Sequence, residues 1–254
     1  MKLHYRELGE GKPLIILHGL FGSSDNWQTL AKKFAERFRV ILVDQRNHGH
    51  SPKSDEFNYH LLSEDLLELL DDLNIDKANL IGHSMGGKTI MHFAQKHPER
   101  IEKMMVVDIA PKQYPSHHDV ILEGLNAIDL SVVKSRGEAE KILDNYIQDF
   151  SVKQFLLKNL YWEIPGEQLA WRINLPVLTR EMGNILSEVP SKDCDVETLF
   201  VRGDKSNYIL ESDFQKIKVQ FPNSKIITIE GAGHWIHAEK PLEFYTTTIR
   251  YFNA

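Results

Sequence analysis

Four short aliphatic runs, each ending in a turn and leading to a segment of helical period, constrain most strongly what this chain can fold into. Residues 14–17 (LIIL) run into His18-Gly19, and 40–43 (VILV) into Asp44. Residues 79–81 run into Gly82, and 104–107 (MMVV) into Asp108. Unbroken apolar runs of this length are strands buried on both faces. The segment 25–38 places Trp27, Leu30, Phe34 and Phe38 on one helical stripe. Residues 63–73 open with Ser63 followed by acids, as a helix N-terminus does, and 85–95 continue helically after the third run. Such alternation predicts the α/β class: a mostly parallel, doubly covered sheet built from strand–helix–strand crossovers.

The alternation breaks off after the fourth run. From about residue 112 to 190 no aliphatic strand appears, and helix-start signals accumulate. Ser135 with Glu138 fits a capping box before a helix reaching Phe150, and Ser151 starts a second helix. Residues 161–163 and 171–174 are short strands or turns. Strand and helix patterns then resume at 198–201, 211–221, 225–229 and 241–252. The predicted organisation is an α/β core of residues 1–111 and 191–254, with 112–190 inserted as a mainly helical cap. A chain of 254 residues accommodates both.

Several function classes are disfavoured at this level. The net charge of −6 gives no basic footprint for nucleic acid. The single cysteine, Cys194, forms no disulfide within the chain and no cysteine zinc cluster. No run approaches the ~20 apolar residues of a membrane span. The polar start MKLHYRELGEGKP lacks the apolar stretch of a secretory signal, so the expectation is a soluble cytoplasmic protein. No sequence pattern specifies an oligomeric state.

The chemistry concentrates at Gly82-His83-Ser84-Met85-Gly86-Gly87. This G-x-S-x-G pattern follows a strand and precedes a helix, the context that lifts a serine above a sheet at a helix N-terminus. The base that Ser84 needs is a histidine, whose ordinary pKa lets it take and return a proton near neutrality. Of the 12 histidines, His234 stands in the small-residue loop Gly231-Ala232-Gly233-His234-Trp235 after the last strand. In an open parallel sheet that loop and Ser84 share the carboxyl edge. His83 is read as packed, His92 and His97 as members of the helix after Ser84, and His117 and His118 as exposed loop residues. His237 is read as beginning a helix. An oxyanion site is expected from the N–H groups of Met85 and Leu20, the latter in His18-Gly19-Leu20-Phe21-Gly22. No HxxxH or HExxH spacing suggests a metal site, and the chemistry requires no cofactor.

The pieces LHGLFGSSDNW, VDQRNHGHS, LIGHSMGGKTIM, VVDIAP, LFVRGDKS and GAGHWIHAEKP, in this order, resemble the α/β-hydrolase superfamily. The versions QRNHGHS, VVDIAP and GAGHWIHAEKP most resemble YbfF-type bacterial esterases and their ABHD relatives. That resemblance implies carboxylesterase activity, extending to acyl-CoA thioesters. It also implies an acid after the strand that follows the cap, but the position where the family carries it is Ser206, in Gly203-Asp204-Lys205-Ser206. Two carboxylates remain. Asp204 lies in that loop, two residues early. Asp108 ends the strand that should neighbour the Ser84 strand, and is the preferred assignment. Asp44 and Arg46, in the loop 44–51, are read as pinning that loop, and Cys194 as no nucleophile.

The implied reaction is hydrolysis of a small acyl ester or thioester through an acyl-enzyme on Ser84. Phe21, Phe155, Trp162 and Trp171 are candidates to line the acyl pocket. Serine-dependent C–C bond hydrolysis or perhydrolysis uses the same residues, and a non-catalytic ligand-binding member of the fold is the alternative from another class.

Overall fold

The computed structural model describes residues 1–116 and 118–253. Strands β1 (Tyr5–Leu8) and β2 (Lys12–Leu17) lead through a short 3-10 turn to helix α1 (Gln28–Phe34) and strand β3 (Phe38–Val43). Helix α2 (Tyr59–Asp72), strand β4 (Ala78–His83), helix α3 (Met85–Lys96) and strand β5 (Ile101–Val107) follow. The next segment carries α4 (Asp119–Asn126), α5 (Arg136–Leu143), α6 (Phe150–Leu157), the antiparallel pair β6 (Leu160–Ile164) and β7 (Gln168–Trp171), α7 (Leu175–Arg180) and α8 (Met182–Leu186). The chain closes with β8 (Thr198–Gly203), α9 (Phe214–Gln220), β9 (Ser224–Ile229), α10 (Ile236–Glu239) and α11 (Pro241–Phe252).

Seven strands form one sheet in the order β1-β3-β2-β4-β5-β8-β9. All neighbours are parallel except β1, which pairs antiparallel to β3 at the edge. Successive residues of the apolar runs enter opposite layers, as a two-residue side-chain period demands. Ile15, Leu17, Ile41, Val43, Leu80 and Met104 pack in one cluster with α2 and α3. Leu14, Ile16, Val40, Leu42, Ile81 and Met105 pack in the other with α1 and α11. This is the α/β fold expected from the alternation.

From β2 the chain steps to β3 on one side, then returns across to β4 on the other. The loops after β2 and β4 therefore diverge to opposite faces and leave a crevice at their carboxyl ends. Open α/β sheets bind ligands at such a reversal point.

Several local expectations are corrected. The helix expected over 25–38 ends at Phe34, and Phe38 opens β3 instead. Ser63 is buried inside α2 rather than capping it; Asn58 is the cap, accepting from the Leu61 N–H at 2.9 Å. Ser135 caps α5 as expected, but that helix stops at Leu143. Asp149, not Ser151, caps α6, accepting from the Ser151 N–H at 2.7 Å. The short edge strand β1 carries no aliphatic run and was not anticipated.

Residues 112–190 are not a separate globule around a core of their own. Leu125, Leu143, Leu160, Leu178 and Leu186 belong to the same apolar cluster as the α2–α3 face of the sheet. The end of the segment is held to the sheet's helices through its backbone carbonyls. The buried Lys88 ammonium on α3 donates to Leu186 at 3.1 Å and to Ser187, and Tyr59 Oη donates to Ile185 at 2.7 Å. Burial pulls the Lys88 amine down to about 7, and the Leu186 and Ser187 carbonyls are what holds it there.

Candidate active site

Ser84 occupies the single residue between β4 and α3, with φ 52° and ψ −117°. A non-glycine residue held in this sparsely populated region costs about 1–3 kcal/mol and persists only where the surroundings over-determine it. Here the flanking backbone leaves no alternative. A Cβ at Gly82 would lie 2.3 Å from the Gly86 carbonyl oxygen, and one at Gly86 would lie 2.5 Å from that of Leu17. The glycines of the motif are thus required by close approach of the strand, the turn and the helix. Ser84 is half-buried at the N-terminus of the 12-residue α3, where backbone N–H groups and the helix dipole favour negative charge.

Asp108 follows β5, the strand beside β4, and is fully buried with φ 49°. Its Oδ2 accepts from His234 Nδ1 at 2.8 Å and also from the Ser206 hydroxyl; its Oδ1 accepts from the Gly203 N–H at 3.2 Å. Burial pushes the Asp108 carboxyl up to about 7, against the hydrogen bonds from Ser206 and Gly203, which favour the charged form. Asp204 is exposed to solvent. Ser206 is therefore a partner of the carboxylate, supporting from the neighbouring loop an acid that the next strand over supplies.

His234 is fixed on two further sides. His83, buried and kept neutral by desolvation, donates from Nε2 to the His234 carbonyl at 2.9 Å. The Tyr208 ring stacks on the imidazole with centroids 3.8 Å apart. Neither Tyr208 nor the supporting part of Ser206 was anticipated, because both depend on how a loop folds back and no spacing rule marks them. His83 is packed as expected, and His237 lies in α10, stacked on Trp27 at 4.1 Å. His117 lies outside the described residues. His118 is half-buried and lines the cavity described below, so it is not the exposed loop residue expected.

The loop after β2 is tied to the loop after β3. His18 Nε2 accepts from the Gln45 N–H at 3.0 Å, and Gln45 Nε2 donates back to the His18 carbonyl at 2.8 Å. Asp44 accepts from the Ser24 N–H at 2.6 Å and the His50 N–H at 2.9 Å. Arg46 makes a two-pronged pair with the buried Asp65 at 2.5 and 2.8 Å. Asp44 and Arg46 thus hold the loop, the structural part expected of them. The Gly22 N–H closes a turn on the Gly19 carbonyl at 3.0 Å, with Leu20 and Phe21 at its tip. The Met85 N–H, at the first position of α3, has no acceptor within its own helix.

Ser84, His234 and Leu20 open onto one cavity of about 620 Å³. Its apolar wall includes Phe21, Ile121, Phe150, Val152, Phe155 and Trp235. Phe21 and Phe155 thus line the cavity, whereas Trp162 and Trp171 do not. Both tryptophans lie on the β6–β7 pair, where Trp162 is 43% exposed and Trp171 packs against the common apolar cluster. Trp235, next to His234 in sequence, takes the place of a wall residue that the sequence had not singled out. Among the described residues no group of three or more His, Cys, Asp or Glu side chains could hold a metal ion. No helix among them is long and apolar enough to cross a membrane.

The α/β-hydrolase fold family model matches residues 12–134. Esterase YbfF of Escherichia coli is 39% identical over 242 residues, 95% of this chain and 93% of that protein. The sn-1-specific diacylglycerol lipase ABHD11 of Danio rerio is 39% identical over 253 residues, 96% of this chain and 79% of that protein. A solved marine microorganism esterase superposes with a TM-score of 0.95 at 42% identity, covering 98% of this chain and 99% of that one. Identity at this level over nearly the whole chain means that the chain belongs to the α/β-hydrolase family, as a relative of the YbfF and ABHD11 enzymes.

Proposed function

We propose that this protein hydrolyses carboxylic esters through an acyl-enzyme on Ser84, with His234 as general base and acid and Asp108 as the carboxylate that orients it. The hydrogen bond from His234 Nδ1 to the buried Asp108 is the observation that carries the reading. It fixes the Nδ1–H tautomer and leaves Nε2 with the lone pair a base needs. In the first step Ser84 Oγ attacks the ester carbonyl carbon and its proton passes to His234 Nε2. The Leu20 and Met85 N–H groups receive the developing oxyanion, aided by the positive end of α3. The C–O bond to the leaving group then breaks, and His234 returns the proton to the departing alkoxide. Water, deprotonated by His234, attacks the acyl-serine ester and releases the acid and Ser84.

The insertion 112–190 serves as a cap in this reading, because Ile121, Phe150, Val152 and Phe155 supply cavity wall from its helices. A mainly apolar cavity of about 620 Å³ suits a small acyl ester. The esterases and lipases among the relatives support ester substrates. The deciding experiment compares wild-type kcat/KM across p-nitrophenyl esters of increasing chain length and the matching acyl-CoA thioesters, with fluorophosphonate labelling of Ser84 alongside. Turnover of the esters with labelling at Ser84 is expected. An unlabelled Ser84 in folded protein sinks the proposal.

Phe155 makes a specific prediction about chain length. Its ring is 5.7 Å from that of Trp235, close to His234. Phe155→Ala removes the packing surface a short acyl chain uses and gives room to a longer one. The ratio of octanoate to butyrate kcat/KM is expected to rise about 10-fold, the scale of a contact worth one or two methylenes.

Ser206 makes another. Its hydroxyl favours the charged form of Asp108, so Ser206→Ala raises the pKa of a carboxyl that burial already holds near 7. Ionised Asp108 is the active form, so rate is gained as pH rises through this ionisation. In the variant the acid limb of the kcat/KM profile is expected to move to higher pH while the plateau falls. An unchanged limb in a folded Ser206→Ala protein would contradict that coupling.

A further inference from the structure

Two non-glycine residues with left-handed backbones lie behind the proposed oxyanion site, and both are held by asparagines of the insertion. Phe21 (φ 59°) is the third residue of the Gly19–Gly22 turn, a position at which a side chain is strained by about 1–2 kcal/mol. Its N–H donates to His48 Nε2 at 3.2 Å, and its carbonyl accepts from Asn159 Nδ2 at 2.8 Å. Asn159 is buried between α6 and β6. Asn47 (φ 64°), the residue before His48, accepts on its carbonyl from the Asn174 N–H at 2.9 Å. Its side-chain oxygen accepts from Asn174 Nδ2 at 3.1 Å.

The hydrogen bonds leave His48 one arrangement. Nε2 must carry the lone pair that accepts from Phe21, so Nδ1 carries the proton and donates to the Arg46 carbonyl at 2.9 Å. Burial pulls its pKa down to about 3, so the acceptor at Nε2 persists throughout the working pH range. One end of the Phe21 residue is thus gripped by the sheet side, through a loop fixed by Asp44 and Arg46. The other end is gripped by the insertion. Leu20, whose N–H is to meet the oxyanion, shares a planar peptide with the Phe21 N–H that His48 holds, so a shift of Phe21 is passed on to Leu20 through that unit.

We infer that Asn159 and His48 are positioning residues for the oxyanion site, and that docking of the insertion through Asn159 completes that site as well as walling the cavity. This rests on the reading of Leu20 as an oxyanion donor. Loss of the Asn159 bond leaves the Phe21 peptide free to leave its strained conformation and swings the Leu20 N–H off its target. The effect falls more heavily on the charged transition state than on ground-state binding, because Asn159 itself does not line the cavity and acts on it only through Phe21.

The test measures kcat, KM and inhibition by an acyl trifluoromethyl ketone, whose serine adduct carries an oxyanion. Asn159→Ala and Asn159→Asp are compared with wild type, with melting temperatures recorded for each. For Asn159→Ala, kcat is expected to fall about 10- to 30-fold, less than the ~10²–10³ of losing an oxyanion donor outright. The ketone Ki should rise by a similar factor and KM by clearly less, since Phe21 is a wall residue that moves with the loss. Asn159→Asp, which sets a carboxylate against the Phe21 carbonyl, should be worse. His48→Leu should repeat the signature from the sheet side, and His48→Gln, which keeps an acceptor, should recover much of the loss. If Asn159→Ala does not fold, the His48 pair carries the test. A folded variant at either position with lowered melting temperature but unchanged kcat and Ki overturns the inference. Failure of the underlying hydrolase reading looks different, since wild type itself would then neither turn over esters nor form the adduct.

Discussion

Ser84→Ala is expected to reduce kcat on a p-nitrophenyl ester by about 10⁶-fold while leaving the fold intact. The size follows from what the substitution removes. Without Oγ there is no acyl-enzyme, and His234 can only assist a water molecule that no group holds against the carbonyl carbon. The oxyanion donors and the apolar cavity remain, so a residual acceleration of ~10³–10⁴ over water is expected to survive. Stability should not fall, because alanine keeps the Cβ and the strained φ of 52° is imposed by Gly82, Gly86 and the neighbouring strand. Burst kinetics and fluorophosphonate labelling on wild type and variant measure the difference. A folded Ser84→Ala protein retaining a tenth of wild-type turnover would mean that the ester is cleaved by another route.

The sheet and the strand-to-helix turn at Ser84 were legible because their signals are local. A run such as VILV, short, rich in β-branched residues and bounded by turns, favours a buried strand, and the small residues around Ser84 answer to close backbone approach. His234 was legible from its loop and from the rule that ligands gather at carboxyl edges. Asp108 required one more inference, that β5 neighbours β4, and the sheet order bears that placement out. What escaped was whatever depends on a loop meeting a distant loop. Trp162 and Trp171 are aromatic residues in the right segment, yet they belong to an antiparallel pair lying outside the cavity. Tyr208 and Trp235, which do stand around the imidazole, carry no spacing signature. Helix ends failed for a related reason. A serine before acids is a good cap only where the chain turns, and at Ser63 the turn came five residues earlier, at Asn58.

Asp108→Asn is expected to lower kcat by about 10⁴-fold, and Asp204→Asn by less than twofold. The contrast separates two carboxylates that sequence order alone treats alike. An asparagine at 108 can present its amide N–H to His234, which favours the imidazole tautomer with its proton on Nε2, facing Ser84. The base is then lost although the shape is kept. It also removes the negative charge that stabilises the imidazolium formed when Ser84 gives up its proton. Asp204 is exposed and its charge is screened by water, whereas the buried Asp108 holds the bond to His234 Nδ1 at 2.8 Å. Ser206 supplies a more demanding control. Its hydroxyl bonds the same Asp108 oxygen that accepts the hydrogen bond from His234 Nδ1, so a carboxylate at 206 would stand within reach of the imidazole from the adjacent loop. In the Asp108→Asn background, Ser206→Asp should therefore recover part of the lost rate. In the wild-type background it should do harm, because two carboxylates would crowd one buried oxygen site and raise each other's pKa. Steady-state kinetics on the four proteins decide the matter. A folded Asp108→Asn protein that keeps wild-type turnover while Asp204→Asn loses several orders of magnitude would remove Asp108 from the mechanism.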